Sequence, residues 1–329
     1  MDFIKIATNN TILKVRIGSH LFGTNTPDSD LDLYGIFMPS EEIIFGLQTC
    51  NNVKLDIVNK DQNGRNTKDA IDYQLCEYRK FIELALANNP NILHILFVNE
   101  NNIININEYG KHLLEMAHLF PYKGAHHRFI KYADSQMHKM RIKPERYNEL
   151  QIGLSILNKF TNNEVMADVI NSKYNYCRIN NRLNQCSINI FKEQNNNKHI
   201  FCGDLQIERG TSITKAKKMI QQRLNKFTHR SSLYEKYGFD VKYGSNLIHL
   251  LMESIELMNE GKIKYPLTYR QDIIDVKNGK YTLNEIIEWA EQLKEKSRIA
   301  YEKSSLPENP ASKIIEQFTI GEMKKWYIK

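Results

Sequence analysis

The sequence predicts an α+β protein, with an α/β domain over residues 1–100 followed by a mainly helical domain over residues 101–329. Three observations point there. Short strand-like runs alternate with helical stretches through the first hundred residues. Beyond them the apolar period is mostly helical. The composition, 41% hydrophobic and 25% charged over 329 residues, is that of a folded globular chain long enough for two domains.

Leu13-Lys14-Val15-Arg16-Ile17 alternates apolar with basic residues, a strand pattern, and runs directly into Gly18-Ser19. Leu31 to Phe37 reads as a second strand and Val53 to Val58 as a third. Residues 59–70 are polar around Asn63-Gly64, the composition of a turn or exposed loop. Ile71-Asp72-Tyr73 resumes as a short strand. Leu75, Tyr78, Ile82 and Ala85 then mark one face of a helix, which should stop near Asn88-Asn89-Pro90 because proline disfavours helix at the residue before it. Helical periods follow over 108–118, 126–141, 147–160, 213–228, 244–260, 282–303 and 311–319. Residues 172–210 break the pattern. They are polar, with Asn195-Asn196-Asn197 between the short apolar runs Ile188–Phe191 and Ile200–Phe201, and read as an inserted loop or hairpin.

Several classes are excluded. No apolar run approaches the ~18 residues that span a bilayer, and the mean hydropathy is −0.51, so no membrane partner is expected. Met1 to Ile6 has no basic-then-apolar leader pattern. Cys50, Cys76, Cys177, Cys186 and Cys202 are scattered without a C-x-x-C pair, which fits a reducing, cytoplasmic setting and argues against a disulfide frame or a cysteine zinc site. The net charge of +7 and pI near 8.9 are compatible with a polyanionic partner without identifying one.

The chemistry concentrates in residues 18–37, GSHLFGTNTPDSDLDLYGIF. A strand that ends in Gly18-Ser19 lets backbone N–H groups and a hydroxyl approach a phosphate closely. In Asp30-Leu31-Asp32 the two carboxylates are two residues apart on a strand, so they point to the same face. Like charges that close repel unless a hard cation sits between them, and Mg²⁺ takes oxygen ligands of this kind. Either motif alone is common on solvated strand ends; their joint occurrence points to a metal–nucleotide site. A third carboxylate on a neighbouring strand would complete it, and Asp56 and Asp72 both stand in an apolar-Asp-apolar setting.

This stretch resembles the signature of the DNA polymerase β-type nucleotidyltransferase superfamily. That likeness implies a mixed-sheet catalytic domain, three metal-binding aspartates and an NTP substrate. Asp72-Tyr73-Gln74-Leu75-Cys76-Glu77-Tyr78-Arg79-Lys80-Phe81, followed by Asn89-Pro90-Asn91, is similar to one branch, the RlaP-type RNA-repair nucleotidyltransferases. There an aspartate opens a strand nine residues before the Phe of an RKF-like helix. The resemblance therefore favours Asp72 as the third catalytic and metal-binding residue beside Asp30 and Asp32, holding two Mg²⁺ or Mn²⁺ ions. It assigns Gly18, Ser19 and His20 to the nucleotide phosphates. Phe239-Asp240-Val241-Lys242 with Leu247-Ile248-His249-Leu250-Leu251 is similar to a later landmark of the same family, in which Lys242 would hold the triphosphate. Gly261-Lys262-Ile263 and Ser305 to Pro310 are further landmarks, so the likeness reaches both ends of the chain. The chain departs from the family at His20, Phe22, His94, Asn246 and His249.

The acceptor that the resemblance implies is an RNA end, such as a broken tRNA under repair. The alternatives are a protein side chain that receives AMP, or a non-catalytic nucleotide-binding regulator. Lys215, Lys217, Lys218, Arg223, Lys226, His229 and Arg230 stand opposite an apolar stripe of Ile213, Ile220, Leu224 and Phe227, a candidate RNA face or a merely solvated one. Lys139, Arg141, Lys143 and Arg146 form a second such run. Lys242 reads equally as a solvated helix-start lysine, and His249, among leucines, as a core histidine. His126-His127, adjacent on a helix, do not converge as a ligand pair.

Overall fold

A computed structural model describes residues 2–27, 29–56, 69–181, 184–194, 198–225, 227, 233 and 236–328; for residues 142, 143, 176–181, 184–188 and 194 it describes the backbone alone. By packing, the chain forms two units, Met1–Met137 with Gly244–Lys329, and His138–Tyr243. The divisions fall at 137/138 and 243/244 rather than at residue 100, so the middle of the chain is a unit of its own.

The first unit is built on a five-stranded mixed sheet of order β3-β4-β2-β1-β5. Its strands are β1 (Thr11–Arg16), β2 (Leu31–Phe37), β3 (Asn52–Lys54), β4 (Ile71–Glu77) and β5 (Ile103–Ile106). β2 and β4 are parallel, and the other pairings are antiparallel. Helix α1 (Phe3–Asn9) starts where the Asp2 carboxylate accepts from Lys5 N at 3.0 Å. It contributes Ala7 to a core with Ile43 of α3 (Glu41–Phe45) and with Leu33, Phe37, Val53, Tyr73 and Leu75 of the sheet. Helix α2 is the single turn Gly18–Phe22, and the sheet is followed by α4 (Tyr78–Leu86), α5 (Pro90–Leu96) and α6 (Glu108–Glu115).

The strand that begins at Ile71 is longer than its sequence pattern suggests. It continues through Leu75 and Cys76 to Glu77, and the helix starts only at Tyr78. The cause is Glu77, whose buried carboxylate accepts from Arg79 N at 3.0 Å and Lys80 N at 3.3 Å, capping the helix. Leu75 is thereby a strand residue. The stop expected at Asn88-Asn89-Pro90 is present, but the same residues also open α5, with Asn89 as N-cap and Pro90 in the first turn, where its missing N–H costs nothing. The third strand is described only as Asn52–Lys54; residues 57–68, with the Asn63-Gly64 turn, lie outside the described residues.

Helix α7 is continuous over Gly124–Leu157, where the sequence reads as separate helical periods over 126–141 and 147–160. Pro144 lies inside it. Buried Phe129, Ala133 and Met140 before the proline, and Tyr147, Leu150 and Leu157 after it, anchor both sides, offsetting the ~3 kcal/mol of a helix-interior proline. The second unit contains the end of α7, α8 (Met166–Ile170), the antiparallel pair β6 (Tyr176–Asn181) and β7 (Asn184–Asn189), and an antiparallel sheet of β8 (Lys192–Gln194), β9 (His199–Cys202) and β10 (Leu205–Glu208). The described part of the polar segment 172–210 therefore forms antiparallel strand pairs, and its Asn195-Asn196-Asn197 lies outside the described residues. Helix α9 (Ile213–Asn225) closes this core with Ile213, Ile220 and Leu224, the stripe its sequence announces.

The chain then returns to the first unit along α10 (Val241–Glu260), α11 (Arg270–Lys277), α12 (Leu283–Lys303) and α13 (Ser312–Tyr327). Thr282 and Glu285 form a capping box at the start of α12. No helix among the described residues is long and apolar enough to cross a membrane.

Candidate active site

The register of the parallel pair builds the site. β2 and β4 align Leu31 with Ile71 and Asp32 with Asp72, so the two aspartates are direct cross-strand neighbours. Leu31 N donates to Ala70 O at 3.1 Å and fixes that register at the strand starts. Asp30, two residues before Asp32, shares its face. One carboxylate oxygen from each of Asp30, Asp32 and Asp72 lies within 4.8 Å of the others. Asp30 and Asp32 are half-buried and Asp72 is exposed, so the trio opens to solvent.

The Gly18-Ser19 turn is bonded to the same strand. Ile17 N donates to Asp32 O at 3.0 Å, bringing the end of β1 beside the carboxylates. Gly18 has φ +61, and a Cβ there would run into the Asp32 carboxylate. Glycine is thus required twice over, for the left-handed backbone and for the close approach. The turn ends at Gly23, also left-handed at φ 71, with Thr24 N donating to Ser19 O at 2.9 Å. Behind it, Leu267 N donates to Phe22 O at 3.1 Å and Lys277 Nζ donates to Thr24 Oγ1 at 3.0 Å. The loop that leads to Asp30 is closed by Thr26 N donating to Ser29 Oγ at 2.9 Å.

Three carboxylates gathered this closely offer only oxygen donors, the preference of a hard divalent cation, and a small strain-tolerant turn lies against one of them. The residues present fit such an ion. Asp56 is exposed beyond β3 and is not one of the convergent carboxylates. His20 lies on the turn itself, and its Nε2 is buried without a hydrogen-bond partner. Lys242 is exposed at the start of α10, where its backbone N donates to Asp240 Oδ1 at 3.0 Å. It belongs to the second unit, whereas the aspartates belong to the first.

A second cluster, which the sequence showed only as departures from the family pattern, lies behind the turn in the same unit. His94 Nε2 is 2.9 Å from Glu253 Oε2, and Tyr265 OH donates to Glu253 Oε1 at 3.0 Å. His249 Nε2 is 3.2 Å from Glu253 Oε2, but off the line of a hydrogen bond. The Phe22 ring packs on His94, His249 and Tyr265, with centroids 5.0, 4.4 and 5.9 Å away. Burial pushes His249 down to about 4, so its ring is neutral near pH 7. Burial alone would raise the Glu253 carboxyl; the two imidazoles and the Tyr265 hydroxyl more than offset it, leaving it below the usual carboxylate value. The signal that could have found Glu253 is its i,i+4 spacing from His249 on one helix face.

The basic runs fare unevenly. Lys215 and Lys218 are exposed on α9 and Lys217 is half-buried. Arg223, expected with them, instead holds Asp204, donating from Nε at 2.9 Å and from its second terminal nitrogen, and Arg146 lies 3.7 Å from the same carboxylate. Arg223 is thus committed to an ion pair in its own unit. Lys226, His229, Arg230 and the Lys143 side chain lie outside the described residues.

A mixed five-stranded sheet followed by mostly helical structure is consistent with a polymerase β-type nucleotidyltransferase domain. Residues 2–157 match the RlaP family, described as the RNA repair pathway DNA polymerase beta family. That match falls on the branch that the motifs of this chain resemble. A protein of Enterobacteria phage T4, described as an uncharacterized 38.9 kDa protein in the nrdC-mobD intergenic region, is 26% identical over 310 residues, covering 90% of each chain. A solved nucleotidyltransferase-like protein from Exiguobacterium sibiricum 255-15 aligns with 91% of this chain and 74% of its own, at 8% identity and a TM-score of 0.26, too low to speak to fold.

Proposed function

We propose that this protein is a metal-dependent nucleotidyltransferase that moves a nucleoside monophosphate from an NTP to a hydroxyl on an RNA end. The observation that supports it most is the convergence of Asp30, Asp32 and Asp72 against the Gly18-Ser19 turn. Asp30, Asp32 and Asp72 would hold Mg²⁺ or Mn²⁺, as a pair of ions. When bound, the metal supplies charge neutralisation on the phosphates and Lewis-acid polarisation at the α-phosphorus.

The chain's own groups do the rest. Backbone N–H groups at Gly18 and Ser19 and the Ser19 hydroxyl donate to phosphate oxygens, and His20 on the same turn adds a further donor. Asp72 is the exposed member of the trio, on the adjacent strand, and accepts the proton of the attacking hydroxyl. The new bond joins that oxygen to the α-phosphorus as the bond to the β-phosphate oxygen breaks, releasing pyrophosphate. RNA as acceptor rests on the family's description and on the exposed lysines of α9.

The test is incubation of the purified protein with Mg²⁺, α-labelled NTPs and total RNA, with the label followed by size and nuclease sensitivity. Label in RNA is the expected result. Label on protein would replace the acceptor while keeping the chemistry, and no transfer to either would overturn the reading.

A further inference from the structure

We propose that His94, His249 and Glu253 bind one zinc ion, at a site separate from the aspartate trio. The donors are two imidazoles and one carboxylate, a set that zinc accepts with a further ligand in the fourth position. Their ligand atoms all lie within 4.8 Å of one another. The separations of 2.9 Å from His94 and 3.2 Å from His249 to Glu253 Oε2 are close to the ~3.3 Å edge of a tetrahedron whose metal–ligand bonds are about 2.0–2.1 Å.

His249 supplies the independent observation. It is 6% exposed, yet neither ring nitrogen has a hydrogen-bond partner. A buried neutral imidazole without a partner forfeits its hydrogen bonds with water. Its Nε2 faces the carboxylate at a distance suited to a shared cation and an angle unsuited to a hydrogen bond. The surroundings complete the case. Tyr265 OH holds the other carboxylate oxygen, turning Oε2 towards both imidazoles, as an outer-shell partner does. The metal would join α5 to α10, and the Phe22 ring of the turn that carries Gly18 and Ser19 packs against both imidazoles. The competing occupant is a proton shared between His94 and Glu253, which would leave His249 unpartnered.

The experiment uses the full-length protein, stripped with a chelator and titrated with Zn²⁺ against a chromophoric competitor. One tight equivalent is expected, retained in Asp30→Asn/Asp72→Asn and lost in Glu253→Gln. Tyr265→Phe, a mild change, should weaken it ~10–100-fold, the range for an outer-shell partner. X-ray absorption on the zinc-loaded wild type, which needs no variant to fold, should show nitrogen and oxygen neighbours at about 2.0–2.1 Å. No tight equivalent, loss of binding in the aspartate double variant, or a sulfur shell from the cysteines would each overturn the proposal. The aspartate site and nucleotidyl transfer are read out separately, so neither proposal falls with the other.

Discussion

Gly18 meets two demands at once, a left-handed backbone and the contact with Asp32, and they make it the most constrained residue of the site. Gly18→Ala should lose transfer and also cost at least ~1–2 kcal/mol of stability, the left-handed penalty for a residue with a Cβ; chemical denaturation beside an activity assay checks both. Asp30→Asn, Asp32→Asn and Asp72→Asn should each abolish transfer while the thermal midpoint holds or rises, because each removes a ligand but relieves carboxylate repulsion. Asp56→Asn should leave both unchanged. An inactive Asp56→Asn with an active Asp72→Asn would reverse the assignment of the third carboxylate. At this scale much of the site was legible, since Asp30 and Asp32 two apart on a strand need no tertiary knowledge to converge. Asp72 was less so. Its residue setting matches that of Asp56, so only the family resemblance favours it in the sequence; the parallel register that sets it beside Asp32 is a long-range property that local pattern does not encode.

The elements are legible where their period is strong and obscure where a single side chain sets the boundary. β2 falls on the residues its apolar run marks, Leu31 to Phe37. The end of β4 is hidden because Leu75, Tyr78 and Ile82 keep a helical spacing, whereas the Glu77 carboxylate stops helix formation short of Tyr78. Glu77→Ala should therefore destabilise the first unit by about 1–2 kcal/mol, the value of a helix cap, measured by urea unfolding. The short α1, α3 and α5 span too few turns for a period to show. In the second unit, Arg223, and more weakly Arg146, hold the Asp204 carboxyl below its usual value. Its folded pKa is depressed, so its contribution is fully present above the ordinary carboxylate pKa of ~3.9 and is lost as pH falls through the folded value. The stability gap between wild type and Asp204→Asn should thus be open at pH 7 and shrink below about pH 4. A gap independent of pH would show that the ion pair contributes nothing.

For the whole molecule, the sequence showed two kinds of structure but not the order in which the chain uses them. The first unit is interrupted by residues 138–243 and completed by the C-terminal helices, so His94 meets Glu253 across the inserted unit. A core assembled from distant segments leaves no composition change at its seams, and α7 and α10 run through both boundaries as unbroken helices. The α9 lysines, exposed at Lys215 and Lys218 and half-buried at Lys217, belong to the insert. Replacing Lys215, Lys217 and Lys218 with Gln should weaken RNA binding irrespective of sequence. The plot of log K against log salt should also flatten by ~0.7 for each phosphate that a lysine no longer neutralises. An unchanged slope in filter binding would remove this face as the acceptor surface. The most direct measurement of the central claim is label transfer from an NTP labelled at the α-phosphorus, run in parallel with a γ-labelled one, for wild type and Asp72→Asn with and without Mg²⁺. The account predicts that the α-label joins the acceptor and the γ-label leaves as pyrophosphate, only in wild type and only with the metal. Transfer of the γ-label, or transfer of the α-label by Asp72→Asn or without a divalent ion, would contradict it.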